Sequence, residues 1–259
     1  MSETSSILCR VEEGVGYVTL HRPQAMNTFN TALALELDEA LSALDADEAV
    51  RVVVIEASGR HFSTGIDLKE VLGKERHEMR PFLALMDRHN HRLAAMGKPV
   101  IASVQGYVLA NGAGLALACD FIVASDDAVL GTTAVNVGLI CLEPGYQLSR
   151  WIGPKRALQY VLSGDFLPAA KAEEMGILYR VVPREELAQA TAELAARLAA
   201  KSPLSLRTGK RGMHQIETMV LDRAIDVAGE HFAALAVTED AREGLEAFLA
   251  KRPPAWKGR

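Results

Sequence analysis

Cysteine is scarce in this chain. Cys9, Cys119 and Cys141 are the only three, far apart and without CxxC spacing. That excludes a disulfide framework and fits free thiols in a reducing compartment. Long apolar runs are missing too: none approaches the roughly 20 residues needed to span a bilayer. The start, MSETSSILCR, lacks the basic stretch followed by an apolar stretch that marks a signal peptide. Positive charge is in deficit, with a net charge of −5, so electrostatics offer no reason to expect nucleic acid or an anionic membrane as partner. Low-complexity segments and fixed-period repeats are absent. Together these absences leave a soluble, cytoplasmic protein as the expectation.

What is present is a globular chain of 259 residues, 49% hydrophobic and 24% charged, enough for one domain with a helical appendage. Gly14 to Leu20 (GVGYVTL) predicts a strand. Val50 to Ser58 (VRVVVIEAS) is a β-branched run typical of a strand buried on both faces. Between them, Leu33, Leu37, Leu41 and Leu44 form one helical stripe over Thr31–Leu44. Pro99 opens a third strand, VIASVQG, which leads through a glycine-containing loop into an apolar helix, GAGLALA. Phe121 to Ser125 makes a fourth. Strands alternating with helices predict an α/β layered fold with parallel pairing. Beyond Lys155 the character turns helical: RALQYVLSG, then PAAKAEEMG with Pro168 at its first turn and Gly176 past its end, then REELAQATAELAARLAAK. Pro203 starts another helix and Glu239–Leu249 a last one. The division falls softly at Ser202, giving a core over 1–202 and a helical region over 203–259.

Two segments carry chemistry. In HFSTGIDLKE (61–70), Gly65 relaxes the backbone so that the Ile66 N–H can point outward. In VQGYVLANGAGLALACD (104–120), Asn111 and Gly112 sit where a loop becomes a helix. The first N–H groups of a helix have no intrahelical partner and carry the positive end of its dipole, which suits a developing anion. Two such N–H groups converging on one oxygen make an oxyanion hole. Either segment alone is equally well explained by tight turns and close packing.

Together and in this order, the two resemble the paired signatures of the crotonase superfamily, the enoyl-CoA hydratase/isomerase family. HFSTGIDLKE is similar to its F-S-x-G-x-D-L motif and the second segment to its glycine-rich motif ending in C-D. RPQAMNTFN, NVGLICLEPG with LSRWIG, LSGDFLPAAKAEEMGILYRVV and EGLEAFLAKRPPAW extend the resemblance over nearly the whole chain. The resemblance implies a ClpP-like spiral of ββα units holding an acyl-CoA site, with C-terminal helices that drive a trimer or a dimer of trimers. It implies an acyl-CoA thioester whose carbonyl sits between the N–H groups of Ile66 and Asn111, so that its enolate is stabilised there. Coenzyme A, part of the substrate rather than a separate cofactor, would lie along Arg22 and Asn27, with adenine near Ile66 and Leu68 and phosphates on Lys251 of a neighbouring subunit.

The chain departs from the pattern at the catalytic acids. Hydratases of this family use two glutamates, and the aligned residues here are Gly114 and Ala134. Neither can move a proton, and their small size predicts an apolar hollow beside the α-carbon. Glu143, in an apolar loop, is the candidate replacement: a base with a raised pKa, or else a solvated carboxylate on a turn. Cys141 lacks an evident base, Tyr146 and Asn136 could donate hydrogen bonds, and Asp67 reads as a backbone anchor. His61, His89 and His91 have no carboxylate or cysteine at ligand spacing, so no metal site is expected. KERHEMR (74–80) reads as a solvated face or a flap. Three activities stay open: enolate chemistry with one acid, decarboxylation of a malonyl-type thioester, and acyl-CoA binding without catalysis. RNA binding is disfavoured by the net charge.

Overall fold

The structure, a computed structural model, describes residues 5–259. Strands β1 (Ile7–Glu12) and β2 (Val15–Leu20) precede α1 (Thr31–Ala46) and β3 (Val52–Ala57). Helices α2 (Leu68–Val71), α3 (Arg76–Met86) and α4 (Arg88–Ala95) lead to β4 (Val100–Val104), β5 (Tyr107–Leu109) and α5 (Asn111–Leu117). Then come β6 (Phe121–Ser125), β7 (Val129–Gly131), α6 (Leu142–Ile152), α7 (Pro154–Ser163), β8 (Phe166–Pro168), α8 (Ala169–Glu174) and β9 (Arg180–Val182). Helices α9 (Leu187–Ala199), α10 (Pro203–Ile216), α11 (Leu221–Ala236) and α12 (Glu239–Leu249) complete the chain.

Six strands form one sheet in the order β1-β2-β3-β4-β6-β9, and β5-β7-β8 form a second. Within the large sheet only β1 and β2 are antiparallel; β2, β3, β4, β6 and β9 run parallel. The β-branched run of β3 is explained by burial on both faces. Val53 and Ile55 join the main core with Leu33, Leu37 and Leu41 of α1. Val52 and Val54 face the other way, onto Leu187, Ala190 and Leu194 of α9. Helix α1 starts where Asn30 Oδ1 accepts from the Leu33 N–H at 2.9 Å, an ordinary N-cap.

The charged run KERHEMR is the exposed first turn of α3, opened by a capping box between Glu75 and Glu78. The same helix buries Phe82 and Met86 further on. Asp38 of α1, buried, pairs with Arg88 at 3.1 Å and accepts from Arg92 at 2.8 Å, which clamps α4 onto α1. His89 between these arginines is buried in the core, its ring 5.4 Å from that of Phe29. Burial holds it neutral, its pKa lowered to about 4, against a smaller opposing effect of the Met86 carbonyl.

The C-terminal helices are tied to the core and to one another. Lys210 of α10 donates to Asp120 at 2.8 Å and to the Lys98 carbonyl. Ser202, which caps α10, donates to buried Asp240 of α12, and Asp240 also accepts the N–H groups of Lys257 and Gly258. Yet α11 buries none of its 16 residues. Leu221, Ile225 and Phe232, on one stripe of it, are 61–73% exposed. Among the described residues, no helix is long and apolar enough to cross a membrane.

Two outcomes are expected. We propose that copies of this chain cover the α11 stripe, because a bare apolar helix face of this length is costly in water. Sedimentation should show no monomer at micromolar concentration, and Ile225→Asp with Phe232→Asp should release one; a wild-type monomer would refute it. His89 sets the second. Its unfolded pKa near 6.5 exceeds the folded value, so the unfolded chain binds the proton first as pH falls. Stability contributed by neutral His89 is therefore lost between about pH 6.5 and 4, by up to about 3 kcal/mol. Urea midpoints of His89→Gln should fall less steeply over that range than those of wild type.

Candidate active site

Three loops meet at the N-terminus of α5. The segment after β3 pairs with β5 through Ser63 and Val108, and with the segment before α1 through Phe29 and Ile66. Ser63 accepts the N–H of Leu109 on its carbonyl at 2.9 Å and donates its hydroxyl to the Asn27 carbonyl at 2.8 Å. Gly112 has no side chain because Ser63 stands in its place: a Cβ there would lie 2.6 Å from the Ser63 Cβ. A Cβ on Gly65, at φ +103°, would lie 2.8 Å from the Ala110 Cβ and 3.6 Å from the Asn111 nitrogen.

This packing brings the Ile66 and Asn111 segments side by side. Neither N–H donates a hydrogen bond to any of the described residues. Ala110, just before Asn111, has φ +48° and ψ −120°, a strained conformation for an L-residue of the kind that marks functional loops. The strain turns the chain so that α5 begins at once, while the Asn111 amide Nδ2 donates to the Met86 carbonyl at 3.1 Å.

The expected hollow beside Gly114 is not there. A Cβ added at Gly114 would lie 2.5 Å from a carboxylate oxygen of Glu143 and 3.4 Å from the ring of Pro144. The first turn of α6 thus delivers its carboxylate into the volume that a side chain at 114 would take. Both Glu143 oxygens are buried without a hydrogen-bond partner among the described residues. Burial first, and the neighbouring Asp87 charge second, raise the Glu143 pKa to about 7. The amides of Gln147 and Asn90 lie near enough to pull it partly back, although neither completes a bond to it. Asp87 is itself shifted upward by burial. The Glu143 carboxylate is therefore buried and unpartnered, not a solvated carboxylate on a turn.

Other candidates divide clearly. Arg22, partly buried, pairs with Asp67 at 3.2 Å and donates to the Thr28 carbonyl. Asp67 also caps α2, as an anchor should. Leu68 is exposed at the start of that helix. Asn27 needs correction as a coenzyme A contact. It is fully buried; its Oδ1 accepts the Arg22 N–H, and its Nδ2 donates to the carbonyls of Ser58 and His61. It pins the loops, and its complete burial leaves no surface for a ligand to touch. Lys251 lies exposed in the turn after α12, without an ion pair among the described residues. The Cys141 thiol is buried and shifted upward by that burial, so it is no thiolate nucleophile. Tyr146 and Asn136 are exposed. Asp87 and Asn90 were not foreseen, since acidic and amide residues on a charged helix read as a solvated face.

Comparison with known proteins agrees with this architecture. The enoyl-CoA hydratase/isomerase family profile matches residues 10–259. A 2,3-dehydroadipyl-CoA hydratase of Escherichia coli K12 is 35% identical, over 98% of this chain and all of its own. A crotonyl-CoA hydratase of Syntrophomonas wolfei is 33% identical, over 95% and 96% of the two chains. The crystal structure of an enoyl-CoA hydratase from Mycobacterium smegmatis superposes with a TM-score of 0.93 at 35% identity, over 97% of this chain and 98% of that one. One from Bacillus anthracis gives 0.94 at 30% identity, over 98% and 100%. The fold is thus the crotonase spiral with C-terminal helices, and the chain belongs to the enoyl-CoA hydratase/isomerase family.

Proposed function

We propose that this acyl-CoA enzyme adds water to, or removes it from, an enoyl-type thioester, with Glu143 as its lone proton-transferring carboxylate. The thioester oxygen accepts from the N–H groups of Ile66 and Asn111, which stabilise the enolate by about 3 kcal/mol per donor. Arg22 and Leu68 border the path of coenzyme A, and Lys251 from a second copy meets its phosphates. In the hydration direction Glu143 takes a proton from the attacking water and then gives it to the α-carbon held beside the oxyanion site. The observation that supports this reading is the Glu143 carboxylate in the space beside Gly114, buried and without a partner. An acyl-CoA binder gains nothing from such a group. Decarboxylation fares worse still, because Asp87 and Glu143 would repel the substrate carboxylate. The names of the relatives, hydratases of enoyl thioesters, point the same way.

Positioned acid–base groups contribute about 10²–10⁴-fold in rate. Glu143→Gln should therefore lower crotonyl-CoA hydration by at least about 10²-fold and leave acyl-CoA affinity unchanged within about twofold. Unaltered turnover would end Glu143's claim. In wild type, kcat/KM should rise with pH through about 7, because the base acts when deprotonated; that limb should vanish in the variant. Gly114→Ala offers an independent check, since its new Cβ must push the flexible Glu143 carboxylate aside. It should slow hydration by at least about tenfold at unchanged KM. With Ala134 still unable to assist, wild-type hydration should remain about 10²-fold slower than in a two-glutamate relative assayed beside it.

A further inference from the structure

Asn90 is the least explained residue near this site. It sits in the first turn of α4, and both its side-chain amide atoms are buried without a hydrogen-bond partner among the described residues. Glu143 nearby presents two more such atoms. A buried polar group without a partner is costly, so four in one place are a heavy cost unless turnover supplies their partners. The position is rigidly held. Arg88 and Arg92 on either side of Asn90 fasten α4 to Asp38, and the Asn111 amide ties the end of α3 to the start of α5. The amide thus faces the carboxylate from an element that cannot readily move away.

We propose that Asn90 is a second catalytic residue, which together with Glu143 holds the reacting water. The inference rests on the reading of Glu143 as the proton-transferring group. In the hydration direction the water gives one hydrogen bond to Glu143 and the other to Asn90 Oδ1, leaving a lone pair aimed at the β-carbon. Its O–H bond to Glu143 breaks and the proton passes to the carboxylate. The oxygen bonds to the β-carbon, and the C=C electron pair moves to the α-carbon and the thioester oxygen as the enolate. Glu143 then gives its proton to the α-carbon. Asn90 loses and gains no proton, and its Nδ2 is free to donate to the second Glu143 oxygen. An amide thereby takes over the water-orienting half of a two-carboxylate arrangement, though not its proton transfer.

The test separates water addition from proton transfer. Wild type, Asn90→Leu, Asn90→Asp and Glu143→Gln are compared in crotonyl-CoA hydration and in deuterium uptake at the α-carbon of butyryl-CoA in D₂O, which needs the base and the anion site but no bound nucleophile. Asn90→Leu should lose about 30-fold in hydration, as expected for one hydrogen bond of about 2 kcal/mol to the reacting group, and keep deuterium uptake within about threefold. Asn90→Asp, which retains an acceptor oxygen, should hydrate faster than Asn90→Leu. Hydration by Asn90→Leu at the wild-type rate, equal loss of both activities, or Asn90→Asp slower than Asn90→Leu would each overturn the proposal. Undiminished deuterium uptake by Glu143→Gln would instead sink the assignment of Glu143, a result distinct from any produced by Asn90.

Discussion

The site depends on one close approach, the stacking of the Ser63–Ile66 loop on the first turn of α5. Ser63 occupies the space of a side chain at 112, and Gly65 lies against Ala110. Any Cβ at 112 would meet both backbone and side chain of Ser63 below 3 Å, so relief would have to come from the loop itself. Moving it would also break the Ser63 bonds to Leu109 and Asn27. The same contact brings the Ile66 and Asn111 segments side by side at Ala110, whose φ is +48°. Parallel strands β3 and β4 fix the far ends of both segments. The anion site proposed there would thus be a by-product of backbone packing, with no side-chain chemistry needed to build it.

The carboxylate is a different matter, because it works against stability. Its folded pKa of about 7 exceeds the unfolded value near 4.5. The unfolded chain therefore gives up its proton first as pH rises, and stability is lost between those values, by up to about 3 kcal/mol. His89 has the opposite sign, losing stability as pH falls. The fold carries a buried carboxyl that favours acid conditions and a buried imidazole that favours neutral ones. The two contributions oppose each other between about pH 4.5 and 6.5.

Much of this was legible in the residues. Helix α12 has the bounds its apolar spacing and caps imply, and α1, β3 and β6 lie within about two residues of expectation, because each is long enough to show a period or a continuous buried run. Strands β5, β7, β8 and β9 have three residues each, too few to show any alternation. Strand β1 exposes all but one of its residues at the sheet edge, so it carries no apolar signal. Asn27, placed beside coenzyme A only by the family resemblance, is instead fully buried and its side-chain amide holds the loop.

The hollow at Gly114 shows where such reading stops. Deleting a side chain at one position says only that volume is released, and cores at native density do not leave such volume empty. What fills it is decided by an element distant in the sequence. Here α6 brings Pro144 and Glu143 against α5, so the space left beside Gly114 on one helix is filled by a carboxylate from another. Its stem enters from the α6 side, and its neighbours are Asp87, Asn90 and Gln147. A carboxylate delivered from that direction takes its pKa from burial and from α4, not from a second glutamate at 134. Catalytic residues in this fold are therefore better sought by asking which side chain fills a given volume around α5 than by asking which residue occupies a given alignment column.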